Sequence, residues 1–247
     1  MAETQPALAA CLDPFFDQGL AAFERAAGGG PAVTQAHGVA GQPVRIHYAT
    51  RRLADALSPA FPPAIAAEHP CLSIYAWGGE LPGGLLPPPD WDAIGYFERG
   101  NVRGHHSAHY TLVYDRKPEV FSAFDAQRQL GLYWARDSGG LLYYEQAAPM
   151  RRLLQGWLQR RGLLALHAAG VSTAAGGALL AGRTGAGKST TALACARAGL
   201  GYAGDDYVLV APGPAPQLHG LYRTAKLNES VLAWMPELAE QVANRDR

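Results

Sequence analysis

Two patterns of apolar residues divide the chain near residue 150. Before that point, short runs rich in aromatic and β-branched residues alternate with Gly and Pro clusters, which is typical of consecutive β-strands. The predicted strands are residues 44–48, 71–77, 93–97, 110–114, 120–124, 130–135 and 141–144. The last two flank Asp137-Ser138-Gly139-Gly140 and predict a hairpin. A helix over 12–27 precedes them, with Asp13 as its N-cap. We therefore expect a β-rich α+β domain over residues 1–148.

After Pro149 the pattern changes to apolar strands that alternate with helices. Residues 150–161 carry four large apolar side chains at helical spacing, which predicts a connecting helix. From residue 163 onward, strands surround a helix over 188–198 that Gly199 would end. This alternation predicts an α/β domain over residues 149–247.

One long apolar stretch requires separate interpretation, because residues 162–182 contain no Asp, Glu, Lys or Arg. Its Gly pairs and its Ser172, Thr173 and His167 fit a hairpin of buried strands better than a membrane span. In that hairpin Val171 would face Ala178. The same register, extended along the strands, places His167 opposite Gly182.

Composition and charge narrow the possible partners. The chain has 21 basic and 21 acidic residues among 247, so no basic surplus favours nucleic acid or an anionic membrane. With 48% apolar and 17% charged residues, the composition is that of a globular protein. Three scattered cysteines do not form a disulfide framework, and no signal peptide precedes the first helix. We expect a cytoplasmic protein.

A phosphate-binding motif follows the predicted hairpin. Residues 182–189 match the pattern G-x-x-x-x-G-K-[ST], with a strand before them and a helix after them. Glycines let backbone N–H groups surround phosphates, and the helix N-terminus adds donors and a positive dipole. The predicted nucleotide-binding residues are Gly182, Arg183, Thr184, Gly185, Ala186, Gly187, Lys188, Ser189 and Thr190. Lys188 would reach the β and γ phosphates, and Ser189 would bind Mg²⁺. The alternative is a Gly-rich turn that binds nothing.

Two further features lie close to this motif in the sequence. Asp205 and Asp206 follow a weakly apolar segment that we interpret as the next strand. Carboxylates at that end of a strand beside the P-loop strand are placed to bind Mg²⁺ or to accept a proton, whereas the alternative is a polar turn. His167 is the third candidate, and its alternative is a hydrogen-bonded core histidine.

These segments resemble the catalytic core of HPr kinase/phosphorylase and the HPr-kinase-related serine kinases, which include lasso-peptide precursor kinases. The matching segments are residues 166–171, the P-loop with Ala192-Leu193, and residues 201–206. The resemblance implies a fold of the HPr kinase/PEP carboxykinase type, with ATP and Mg²⁺ as cofactors. It implies that Asp206 is the base that activates an acceptor serine, with Asp205 as its supporting neighbour, and that His167 and the phosphate-binding Lys188 are the other catalytic residues. Ser189 and Asp205 are the implied metal ligands.

The chain departs from this family in two respects. HPr kinases have an acidic metal ligand in the next strand region, whereas residues 217–221 contain no acidic residue. They also continue through further strands that carry an Arg used in phosphoryl transfer, so we expect the catalytic domain of this chain to be incomplete.

The leading prediction is an ATP-dependent serine kinase that phosphorylates a small protein or peptide, and a homo-oligomer is possible by the same resemblance. One alternative is a small-molecule kinase of the shikimate-kinase type, although its P-loop usually lies near the start of the chain. Another alternative is a nucleotide-binding recognition module without turnover. An ABC-type ATPase is disfavoured because no Leu-Ser-Gly-Gly-Gln signature follows the loop.

Overall fold

A computed structural model of the protein describes residues 5–28, 32–64, 68–86, 107–227 and 229–243, with side chains from residue 12 onward. The chain has an α/β fold whose largest sheet is mixed and has the strand order β1-β2-β3-β6-β5-β4. Its strands are β1 (Val33–Val39), β2 (Gln42–Tyr48), β3 (Leu72–Gly78), β4 (Tyr110–Asp115), β5 (Val120–Asp125) and β6 (Leu130–Ala135). Strand β3 runs parallel to β2 and to β6, and the other pairs are antiparallel. The predicted strand over 93–97 lies outside the described residues.

Helices cover both faces of this sheet. Helix α1 (Gln5–Ala26) contacts β3 and β6 on one face, and α2 (Arg51–Leu57) and α4 (Arg151–Gln159) pack on the other. Side chains of β3 alternate accordingly: Trp77 joins the cluster under α1, and Ile74 joins the cluster under α4. Because both faces are covered, all residues of β5 and β6 are buried.

Three predictions for the first half of the chain are wrong. Helix α1 begins at Gln5, so Asp13 lies within the helix and accepts a hydrogen bond from Tyr110 Oη at 2.6 Å. Residues 141–144 form no strand; instead α3 (Tyr143–Ala147) begins there. The hairpin cannot form because β6 is already paired with β3 and β5, which leaves no free edge. Helix α2 was not predicted, although Thr50 caps it by accepting from the Leu53 N–H.

The second half contains two small sheets, and the helix that follows the P-loop packs against β8 and β10 of one of them. The elements are β7 (Leu164–Leu166), β8 (Ala169–Thr173), β9 (Gly176–Leu180), α5 (Lys188–Arg197), β10 (Gly201–Gly204), β11 (Val208–Ala211), β12 (Gln217–Gly220), α6 (Glu229–Trp234) and a final 3₁₀ helix (Pro236–Gln241). One sheet has the order β10-β8-β9 and the other β12-β11-β7. As predicted, Gly199 ends α5 with a φ of 89°. Among the described residues, none of the helices has the length and apolar character needed to cross a bilayer.

The segment after β12 joins the second half to the first. Tyr222 Oη donates to the Pro149 carbonyl at 2.7 Å, and the Arg223 N–H donates to the Ala60 carbonyl at 2.8 Å. The Tyr222 ring and Leu209 of β11 belong to the same core cluster as α2 and α4. Residues on both sides of the predicted domain boundary therefore share one hydrophobic core.

A buried carboxyl group makes the stability of this core pH-dependent. Glu145 is 9% exposed and accepts a hydrogen bond from Tyr133 Oη at 3.1 Å. Burial raises the pKa of Glu145 to about 6, and the Tyr133 bond opposes this only in part. Because the folded state holds the proton more tightly than the unfolded state, this stabilisation is complete below about pH 4.5 and decreases as the pH rises through about 6.

Glu145→Gln is therefore expected to leave stability unchanged near pH 4 and to raise it at pH 8. The expected gain is about 2 kcal/mol, the free energy that corresponds to the raised pKa. Urea denaturation of both proteins at several pH values measures the difference, and other titrating groups cancel in the comparison. An equal difference at all pH values would contradict this prediction.

Candidate active site

The P-loop is an exposed turn between β9 and α5. Gly185 and Gly187 have φ values of 83° and 86°, in the left-handed region that glycine adopts without strain. A Cβ at either position would meet no atom within 4 Å, so these glycines are required by backbone conformation and not by crowding. Positive φ at Gly185 and Gly187 is a backbone conformation that phosphate-binding loops use to direct N–H groups towards an anion.

The Lys188 side chain folds back onto the loop. Its Nζ donates to the carbonyl oxygens of Gly182 at 2.9 Å and Arg183 at 3.3 Å. Among the described residues, no carboxylate pairs with Lys188. The ammonium group is thus held above the loop by weak neutral acceptors, which a phosphate oxygen can replace with a stronger charged one. This arrangement, together with Ser189 in the first turn of α5, fits a nucleotide triphosphate.

The remaining candidates lie at the same edge of the sheet as the P-loop. Strand β8 is antiparallel to both β9 and β10, so β9 and β10 run in the same direction and end at one edge, where β8 begins. The P-loop follows β9, Asp205 and Asp206 follow β10, and His167 precedes β8. The prediction that β10 lies beside the P-loop strand β9 is wrong, because β8 lies between these two strands. Strand spacing places the two strand ends about 10 Å apart.

The predicted hairpin register is confirmed, because Val171 pairs with Ala178. The pairing stops at Ala169 and Leu180, before it reaches His167 and Gly182.

The His167 side chain is 57% exposed, so the interpretation of His167 as a core histidine is wrong. Its ring stacks on Tyr207 with centroids 5.8 Å apart. The prediction that both strands of the hairpin are buried is wrong for β9, which is mostly exposed.

Asp206 lies between two basic side chains. Its Oδ1 is 2.7 Å from His167 Nε2, and its Oδ2 accepts a hydrogen bond from Lys226 Nζ. The Asp206 side chain is 17% exposed, so it is sheltered but reachable from solvent. Both partners hold the carboxylate in one orientation at the sheet edge.

Asp205 points the other way, into the protein. It is 4% exposed, and its Oδ2 accepts a hydrogen bond from the Lys226 backbone N–H at 3.0 Å. Burial and the Asp205 carboxylate raise the pKa of Tyr202, so the Tyr202 hydroxyl stays protonated and donates to the Thr224 carbonyl at 3.3 Å. Asp205 and Tyr202 therefore position the segment that carries Lys226.

Lys226 is the site residue that the sequence analysis missed. It lies 20 positions after Asp206 in an irregular segment with no motif around it. Thr224 fixes the same segment by donating from its hydroxyl to the Ala147 carbonyl at 2.5 Å. One property of the sequence could have indicated Lys226: lysine is rare in this chain, and Lys226 and Lys188 are two of only three lysines.

The predicted metal ligands are not brought into a preformed cage. In the part of the chain that the structure describes, no three His, Cys, Asp or Glu side chains form a cluster able to hold a metal ion. A magnesium ion in such a site depends on phosphate oxygens and water together with one or two protein ligands. Ser189 fits that donor chemistry, whereas Asp205 is buried and its Oδ2 accepts from the Lys226 N–H; the role of both as metal ligands stays a prediction.

Comparison with known proteins adds no assignment. No protein-family model matches the sequence, and no curated protein shows significant similarity to it. The functional interpretation therefore depends on the residues and their geometry.

Proposed function

We propose that this protein is an ATP-dependent serine kinase of the HPr-kinase-like type, with a cytoplasmic small protein or peptide as its acceptor. The observation that supports this proposal is the common sheet edge of the P-loop, His167 and Asp206. A P-loop alone binds nucleotide, whereas a sheltered carboxylate at the same end of the sheet supplies a base for an acceptor hydroxyl. In this proposal the second half of the chain is the P-loop kinase core.

Each residue has a defined part in this reaction. Lys188 and the loop N–H groups bind the β and γ phosphates and neutralise their charge. Ser189 would help to hold Mg²⁺, which would offset the negative charge of the phosphates. Asp206 accepts the serine hydroxyl proton while the serine oxygen bonds to the γ phosphorus. The bond from that phosphorus to the β–γ bridging oxygen breaks, and ADP leaves.

His167 and Lys226 orient the base in this scheme. Because both oxygens of Asp206 are paired, one of them must exchange its basic partner for the acceptor hydroxyl. His167 is the more exposed partner, at 57% against 46% for Lys226. We therefore assign the exchange to His167 and the permanent orienting contact to Lys226.

The paired state of Asp206 also favours a second function. A carboxylate whose two oxygens stay paired with His167 and Lys226 is not free to accept a proton, so the same site could bind nucleotide as a recognition module without turnover. The two functions differ in one measurable property, the appearance of phosphate on an acceptor.

Incubation with γ-labelled ATP and Mg²⁺ tests the proposal. The acceptors are a panel of serine-containing peptides, small proteins and hydroxylated metabolites, and Lys188→Ala is the inactive control. We expect label on a peptide or protein serine. Transfer to a metabolite would support a small-molecule kinase, and magnesium-dependent ATP binding with no transfer or hydrolysis would support the recognition module.

Substitution of Lys226 tests its orienting role. Lys226→Met is expected to lower transfer about tenfold to 100-fold, because Asp206 loses a charged hydrogen bond worth about 1.5–3 kcal/mol. Lys226→Arg keeps the charge and is expected to restore most of the activity. The kinetic effect should fall on kcat, with KM for ATP nearly unchanged, and the Lys117→Met variant provides the control.

A further inference from the structure

A groove adjoins the Asp206 site on the side of His167. It encloses about 620 Å³ between helix α4 and strand β7, a size typical of ligand sites. Helix α4 contributes Arg151, Arg152, Gln155 and Gln159, which share one face of the helix. His167 lines the groove and also contacts Asp206, so the groove leads to the proposed base.

The polar lining of this groove is positive. Two arginines and His167 line it together with two glutamines, and its lining includes no carboxylate. The Arg151 guanidinium lies over the Tyr207 ring at 4.9 Å, which holds the charge at the groove wall. Glu145 and Asp115 line a separate pocket together with both arginines, whereas the groove itself is lined by the arginines without any carboxylate.

The opposite wall is the edge of a sheet. Strand β7 pairs with β11 along one side, and in the described parts of the chain it has no strand on its other side. Leu164 of β7 is 49% exposed there. An exposed edge strand offers alternating N–H and C=O groups and accepts an extended peptide as an added strand.

We propose that this groove, which we call the α4–β7 groove, binds an extended acidic peptide as an additional strand on β7. This inference rests on the proposed function: the peptide is the acceptor segment, and its serine reaches Asp206 beside His167. Acidic side chains on one face of the added strand pair with Arg151 and Arg152. Apolar side chains on the other face contact Leu164.

Binding is tested first, in the absence of nucleotide. The probes are fluorescein-labelled peptides of about ten residues, each with a central serine in a Val- and Thr-rich sequence and flanked by Glu, Gln or Lys. Fluorescence anisotropy is expected to give the order Glu over Gln over Lys, with about tenfold weaker binding for the Lys peptide. Equal affinities for the three peptides would overturn the proposal.

Arg151→Glu then identifies the groove. We expect this variant to bind the Glu peptide about tenfold more weakly and to prefer the Lys peptide. The exchanged preference also shows that the variant is folded. The matched control is Arg51→Glu, which makes the same charge change on an exposed residue of α2 outside the groove. An equal effect of both variants would refute the assigned position.

N-methylation tests addition of a strand. Methyl groups on alternate backbone nitrogens of the Glu peptide should abolish binding in one set of positions and leave it intact in the other, because alternate N–H groups face β7. Loss of binding without this alternation would contradict strand addition.

The outcomes separate this inference from the proposed function. Selective binding of the acidic peptide without label transfer would support peptide binding in the α4–β7 groove and contradict the proposed kinase activity. If Arg151→Glu does not change label transfer to any of the three peptides, the result would support the kinase activity and contradict peptide binding in the α4–β7 groove.

Discussion

Asp206→Asn is expected to lower phosphoryl transfer about 10²- to 10⁴-fold, the usual contribution of a positioned general base. Asn keeps the shape of Asp and can satisfy both neighbours, because its carbonyl oxygen accepts from Lys226 and its NH₂ group donates to His167 Nε2. The side chain therefore stays in place but cannot take the serine proton. Single-turnover transfer of label from ATP to the acceptor measures the loss.

ATP binding provides the control for this variant. Asp206 follows β10 and the P-loop follows β9, with β8 between these two strands, and Lys188 bonds to loop carbonyls and not to Asp206. The dissociation constant for ATP should therefore change by less than about threefold, well below 1 kcal/mol. Transfer at the original rate would refute the assignment of Asp206 as the base.

Lys188→Ala is expected to weaken ATP binding about 10- to 100-fold and to abolish transfer. The ammonium group donates to two carbonyl oxygens of the loop, and a charged hydrogen bond to phosphate is worth about 1.5–3 kcal/mol. Calorimetric titration with ATP and Mg²⁺ measures the affinity. Lys117→Ala, in the turn between β4 and β5, is the matched control.

The small number of lysines provides an independent measurement. Lys117, Lys188 and Lys226 are the only lysines in the chain, so an amine-reactive reagent followed by mass spectrometry reports on each one. ATP should protect Lys188 strongly and leave Lys117 unchanged. Equal labelling of Lys188 with and without ATP would contradict the proposed nucleotide site.

Local pattern predicted the parts of the fold that depend on neighbouring residues. The helix over 188–198, the hairpin register of Val171 with Ala178 and the stop at Gly199 are all found in the structure. These features depend on turn chemistry, helical spacing and short-range pairing, all of which lie within about 20 residues of sequence. The same reasoning failed at residues 141–144, because the occupied edges of β6 exclude a hairpin there.

The amino-acid sequence by itself determined the phosphate-binding motif, the Asp pair and the candidate histidine, since fixed spacings of a few residue types define them. Only the tertiary structure decided that His167 contacts Asp206 and that Lys226 completes the pair of basic neighbours. Lys226 reaches Asp206 because Tyr222, Arg223 and Thr224 attach its segment to the first half of the chain. Such contacts join residues far apart in sequence, and packing, not local pattern, sets them.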